Sequence, residues 1–183
     1  MAATAIAVAA CAQTQESPLK EKVESYAVVE VKSPLYDALS ENDKKIVALF
    51  RQAGEIMDGL FWKQTFGDKT EMEALTDEYA KAYAMINYGP WDHLDNNAPF
   101  VEGYGEKPLG CQYYPHDMTM EEWNAFDDPD KLNLYTVVRR DENGSLKTVW
   151  YRDEYKEELD QVCALLEEAA SLTENEGMRT YLT

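Results

Sequence analysis

The longest regular pattern in the chain lies between Ser40 and Phe66. Ile46, Leu49, Phe50, Ala53, Ile56, Met57, Leu60 and Phe61 recur at three- and four-residue intervals, which places one apolar stripe on a helix. Ser40 supplies an N-cap, Glu41 and Asp43 put negative charge in the first turn, and Gly67 stops the run, so a helix is predicted over 41–66. Leu75, Tyr79, Ala82, Tyr83 and Ile86 share a second face and predict a helix over 70–86. It ends before Gly89-Pro90, because proline restricts the residue ahead of it and cannot continue a helix. Thr119 and Glu122 form a capping-box pattern, with Met118 and Trp123 at the spacing of a hydrophobic staple, predicting a short helix over 120–126. "LYTVVRR" and "SLKTVWY" then flank "DENG", and these arms around Asn-Gly predict a hairpin over 134–151. Tyr155, Leu159, Val162, Cys163, Leu166 and Ala169 give the buried face of a last long helix over 153–172, with Cys163 packed as a small hydrophobe. Together the periods predict an α+β fold, predominantly helical with a β-hairpin.

The segment 87–117 fits neither period. It opens "NYGPWDHLD" and carries Tyr88, Trp91, Phe100, Tyr104, Tyr113 and Tyr114 among its glycines and prolines. These aromatics either line a ligand groove or form the small core of a compact loop. On either reading the loop is expected to be ordered, anchored by Tyr88, Trp91 and Phe100. Tyr88, Trp91, Asp92 and Tyr113 are the residues expected to touch a ligand. The chain's two histidines, His93 and His116, also fall here, 23 residues apart. A zinc peptidase helix carries two His four residues apart, as in H-E-x-x-H, so that both reach one ion. These two do not have that spacing. Asp92, Asp95, Asp117 or Cys111 would have to complete any metal site with them, and the alternative is that both histidines only pack the loop. No G-x-S-x-G elbow, Walker loop or G-x-G-x-x-G run is present. No catalytic residue and no metal ligand is assigned.

Composition narrows the partners. The 183 residues carry a net charge of -18 spread along the chain, which disfavours a phosphate backbone and so excludes nucleic acid as the expected ligand. Hydrophobic residues at 45% and aromatics at 11% supply a core. Three cysteines make no disulfide framework. The first eleven residues, "MAATAIAVAAC", are small and apolar, and "VAAC" resembles a bacterial lipobox in which Cys11 is lipidated. This predicts a leader over 1–11, a polar tether followed by a short extended segment over 12–32, and a protein held in the bacterial cell envelope, facing the periplasm, by a lipid on Cys11.

Four stretches taken together resemble a known family: "FWKQTFGDK" (61–69), "INYGPWDHLDNNAPFVEG" (86–103), "KPLGCQYYPHDMTMEEW" (107–123) and "LYTVVRRDENG" (134–144). They are similar to the N-terminal part of bacterial zinc hydrolases related to dipeptidyl-peptidase III. The resemblance implies one part, 33–183, of the non-zinc lobe of a two-lobed metallopeptidase that hydrolyses peptides from a free N-terminus. Zinc would be a cofactor of the whole enzyme, held by an H-E-x-x-H-type motif that no position here matches. His93 stands where the family has Arg, and His116 where it has a small residue. The chain is then expected to be an amino-terminal fragment whose partner is the missing C-terminal half. The competing reading is a non-catalytic envelope lipoprotein that binds a peptide or protein. A third is a small metalloprotein using His93 and His116.

Overall fold

The computed structural model describes residues 17–183. In order these form α1 (Lys20–Glu24), α2 (Pro34–Asp37), α3 (Glu41–Thr65), α4 (Lys69–Glu73), α5 (Glu78–Asn87), β1 (Trp91–Asp92), β2 (Ala98–Pro99), α6 (Met120–Ala125), β3 (Thr136–Arg140), β4 (Leu146–Trp150), α7 (Tyr151–Glu154), α8 (Lys156–Leu172) and α9 (Glu176–Leu182). The α+β, mainly helical architecture is the expected one. The expected leader over 1–11, with Cys11, lies outside the described residues, among which no helix is long and apolar enough to cross a membrane.

α3 is the axis on which the rest is hung. It starts where the Ser40 hydroxyl accepts the Asp43 N–H. Ile46 and Leu49 near its start pack with Ala169 and Leu172 near the end of α8. Leu60 near its end packs with Tyr155 and Leu159 at the start of α8 and with Val137 of β3. The two long helices are therefore antiparallel, and the hairpin sits at the C-terminal end of α3. Beyond it, Trp62 and Phe66 join Met72, Ala84 and Trp91 in a separate aromatic core. The hairpin register runs from Thr136↔Trp150 to Arg140↔Leu146. Gly144 has φ +81, a conformation that favours glycine, and the Asp141 carboxylate accepts the N–H groups of Asn143 and Ser145 to hold the turn.

Four local expectations change. The helix over 70–86 is two helices, α4 and α5. Asp77 caps α5 by accepting from Tyr79 and Ala80, and a carboxylate that captures backbone donors this way opens a new helix rather than continuing the old one. The described part of the polar tether carries α1, whose neighbour Leu19 is buried against Ala80 and Tyr83, while 27–33 belongs to no helix or strand. Cys163 is exposed, because the face of α8 turned to α3 runs through Leu165, Ala169 and Leu172. On α3, Ile46, Leu49, Ala53 and Leu60 are buried, but Phe50, Met57 and Phe61 stay 36–46% exposed, since α8 covers only one flank of the predicted stripe.

Candidate functional site

The end of α3 and the start of α4 lie against the loop segment 112–116. That segment is fastened on both sides. Gln112 N–H donates to the Gln64 carbonyl at 3.0 Å, and Val138 N–H of β3 donates to the Tyr113 carbonyl at 2.9 Å. The Gln112 side chain also donates to the Phe66 carbonyl. Between these elements and α7 lies a cavity of about 840 Å³, walled by Trp62, Lys69, Gln112, Tyr114, Arg139 and Tyr155 among others.

Arg139 ties the wall together. Its Nε and Nη2 reach Glu154 at 2.8 and 2.7 Å, and its Nη1 donates to the Gln112 and Val138 carbonyls, both at 2.9 Å. Arg140 is held by Asp117, Glu122 and the Gly144 carbonyl. Lys63 pairs with Glu158. Lys69 is the least constrained: Asp58 and Glu73 stand 3.9 and 3.8 Å away, and its ammonium lies 5.6 Å over the Trp62 ring. The wall therefore offers aromatic faces, a side-chain amide and charges of both signs. Such a surface suits a peptide, with its amide bonds and mixed side chains.

None of the four residues expected to touch a ligand lines this cavity. Trp91 is buried, its ring 5.9 Å from that of Phe66, and its indole N–H donates to the Gly105 carbonyl. Gly89, at φ +145, lets the chain fold over that indole, where a Cβ would sit 3.3 Å from the ring. Asp92 is buried and bound to Lys22 of α1. Tyr88 takes the left-handed cap position of α5 with φ 52, donates its hydroxyl to Asp58 at 2.6 Å, and stacks near Trp62. Only Tyr113 belongs to the segment that walls the cavity, and its hydroxyl bonds Gln64. Most of the six loop aromatics pack as a small core, the second of the two readings the sequence allowed. Of the cavity residues, Tyr114 is one of the six aromatics with a groove-lining reading, while Trp62, Gln112 and Arg139 carry no such signal in the sequence. Nothing in their local spacing marks them, because they meet only when three distant segments close.

The histidines are separate. His93 Nε2 lies 2.9 Å from Lys107 Nζ, and His116 Nε2 lies 3.2 Å from the Cys111 carbonyl. Among the described residues no three His, Cys, Asp or Glu side chains converge as a metal would require, so these residues do not fit a zinc ion.

Several titrations carry a stability consequence. Burial works to raise the Asp92 carboxyl, but bonds from Lys22, Tyr83 and the Leu94 N–H outweigh it and hold the group below its ordinary 3.8. Arg140 and the Thr119 N–H lower Glu122 from 4.5 to about 2. A carboxyl lowered in this way contributes stability above its unfolded value and loses it as pH falls through the folded one. His93 is held below 6.5, first by burial and then by Lys107, so the unfolded chain takes up that proton earlier and acid favours unfolding there too. The urea midpoint is expected to be level between pH 7 and about 9, to decline gently below 6.5 and to drop steeply below about 4.5. A midpoint that rises between pH 7 and 4 would contradict these assignments.

Comparison with solved structures decides the family likeness. The structure of dipeptidyl-peptidase III from Caldithrix abyssi superposes with a TM-score of 0.80 at 30% identity, over 89% of this chain and 33% of that one. The chain resembles dipeptidyl-peptidase III. The enzyme from Corallococcus sp. strain EGB agrees, with a TM-score of 0.81 at 30% identity, covering 90% of this chain and 33% of that one. The chain thus spans about a third of the length of the dipeptidyl-peptidase III structures it matches. A protein of Arabidopsis thaliana described as Nudix hydrolase 3 is 23% identical over 171 residues, 70% of this chain and 22% of that protein. No protein-family model matches the chain.

Proposed function

We propose that residues 33–183 form one part of the non-zinc lobe of a dipeptidyl-peptidase III-like zinc exopeptidase, and that the cavity beside Arg139 is a stretch of its peptide-facing wall. The observation that carries this reading is the superposition at 30% identity on about nine-tenths of the chain. Zinc and the hydrolytic step are assigned to the remainder of the longer protein, the partner this chain would need. The residues here would bind and orient. Arg139 and Gln112 hold the segment 112–116 in place, and Trp62, Tyr114 and Lys69 face the peptide.

A longer polypeptide carrying this chain should hydrolyse dipeptidyl-arylamides, and a chelator should abolish that activity. Tyr114→Ala in it should raise KM several-fold with little change in kcat, the pattern of lost ground-state binding. The 183-residue chain alone should leave these substrates intact. Chelator-insensitive hydrolysis, or an unchanged KM, would count against the assignment.

The envelope location is a separate proposal, motivated by "VAAC" and the polar residues that follow it. A lipid on Cys11 would place the protein at the membrane surface, facing the periplasm. Metabolic labelling with a palmitate analogue, in cells making the protein with its complete leader, should mark the wild type and not Cys11→Ser. Equal label in both would sink the idea. The non-catalytic lipoprotein reading survives only if that label appears and the longer polypeptide shows no hydrolysis.

A further inference from the structure

We propose that the pocket around Asp92 is a binding site for a primary ammonium group, occupied in this structure by the chain's own Lys22, and that a free peptide amino terminus displaces that lysine.

Asp92 is 2% exposed, an unusual place for a carboxylate. Its Oδ1 accepts the Leu94 N–H at 2.9 Å, the Tyr83 hydroxyl also donates to it, and Oδ2 meets the Lys22 ammonium. That ammonium lies 5.7 Å over the Tyr83 ring and within the field of Asp95. A buried carboxylate, a second acid and an aromatic face are what a desolvated ammonium needs. Asp92 and Tyr83 are held in place independently of Lys22. β1 and β2 pair Asp92 with Ala98, and Asn87 links the two segments by donating to the Tyr83 carbonyl and accepting the His93 N–H.

Lys22, by contrast, arrives on a weak mount. α1 has five residues, none of them fully buried; only Val23 of these packs on the Ala80–Tyr83 cluster, beside Leu19 ahead of the helix and Tyr26 after it, whose ring meets Tyr83 at 6.2 Å. The Lys22 side chain is 45% exposed against 3% for Asp92. Beside it remains a cavity of about 250 Å³, lined by Ser25, Tyr26, Leu94 and Asp95 as well as the ion pair. The receptor is held by bonds that do not involve Lys22, its occupant is tethered and partly in water, and there is room next to it. A tethered group competes at an effective concentration of about millimolar order, so an external amine can win only if it brings contacts of its own to that cavity. The reading of the chain as part of an exopeptidase bears only on which amine is natural, since such an enzyme meets a free α-ammonium on every substrate.

The test uses the 183-residue chain, with the Leu94 amide followed by NMR and thermal unfolding followed alongside. Lys22→Ala leaves the Asp92 carboxylate buried without its cation and should lower Tm. Glycylglycinamide should restore that Tm and shift the Leu94 amide, because a ligand that binds only the folded state stabilises it. N-acetylglycylglycinamide, which lacks the ammonium, should do neither. Nα-acetyl-lysinamide separates an ε-ammonium from an α-ammonium and should be the weaker of the two amines. In the wild type the same Leu94 shift should need about tenfold or more glycylglycinamide, reflecting competition with Lys22. Lys22→Gln, which keeps a neutral donor, is the second variant in case Lys22→Ala does not fold, and it should also bind more tightly than wild type. The proposal fails if the acetylated and free dipeptides act alike, or if neither variant gains affinity over wild type. Hydrolysis is not read here, so an inactive longer polypeptide leaves this result standing, and the reverse.

Discussion

Trp91→Ala is expected to remove about 3–5 kcal/mol of stability, a large share of the total for a domain of this size. Trp91 is 6% exposed and sits where three segments meet: Phe66 at the end of α3, Tyr104 in the loop, and Ala84 on α5. Its indole N–H fixes the Gly105 carbonyl at 2.9 Å, and Lys107 lies over its ring at 5.9 Å. Alanine would leave a cavity that Gly89 and Phe66 cannot fill without moving backbone, and would leave the exposed Gly105 carbonyl to water. The loss should be concentrated in 87–117. The amides of Asn97 and Phe100, which bond the Asp92 and Pro90 carbonyls, should exchange slowly in the wild type and much faster in the variant. Urea denaturation gives the magnitude and hydrogen exchange the place. A loss below about 1 kcal/mol, or fast exchange at both amides in the wild type, would show the loop to be only loosely attached.

Arg139→Met is expected to cost about 2–4 kcal/mol, from three charge-assisted hydrogen bonds at roughly 1.5–3 kcal/mol each and a second contact to the same Glu154 oxygen, offset by the retained apolar stem and by water entering the gap. The guanidinium bonds α7, the 112–116 segment and its own strand at once. Without it, Glu154 loses its cation and the Gln112 carbonyl its donor. The effect on binding should exceed the effect on the rest of the fold. In a longer, active polypeptide KM should rise by more than the loss attributable to unfolding, while the hairpin amides stay protected. Arg139→Lys should recover little, because an ammonium cannot span three partners in a plane. A full rescue by lysine would mean that charge alone mattered.

The periodic parts of the chain were legible before any fold was known, and for a plain reason. The helix over 41–66 and the hairpin over 134–151 are written in local spacing, in caps and in turn residues whose effect does not depend on what packs against them. The capping box of α6 is the clearest instance: Thr119 and Glu122 exchange bonds with each other's backbone as their spacing required. Local spacing did not say how much of the α3 stripe would be covered. Phe50, Met57 and Phe61 obey the same period as Leu49, Ala53 and Leu60, yet only the second set is buried. The break at Asp77 was missed because apolar periodicity ran on through it while a side-chain cap redirected the backbone.

The site shows the same division more sharply. The sequence by itself determined that 87–117 would be an ordered, aromatic segment, because its glycines allow the turns and its large rings bury too much apolar surface to be left in water. It also carried the likeness to dipeptidyl-peptidase III in four long stretches. Only the tertiary structure decided which of those rings were core and which were wall. Trp91 and Asp92 turned inward, and the cavity formed instead from Trp62, Gln112, Tyr114 and Arg139. It likewise decided that Lys22, from a stretch read as tether, would reach a carboxylate 70 positions away. Contacts between residues so far apart depend on how several elements close together, a choice made by packing and by the need to pair each buried polar group, and no window of sequence contains it.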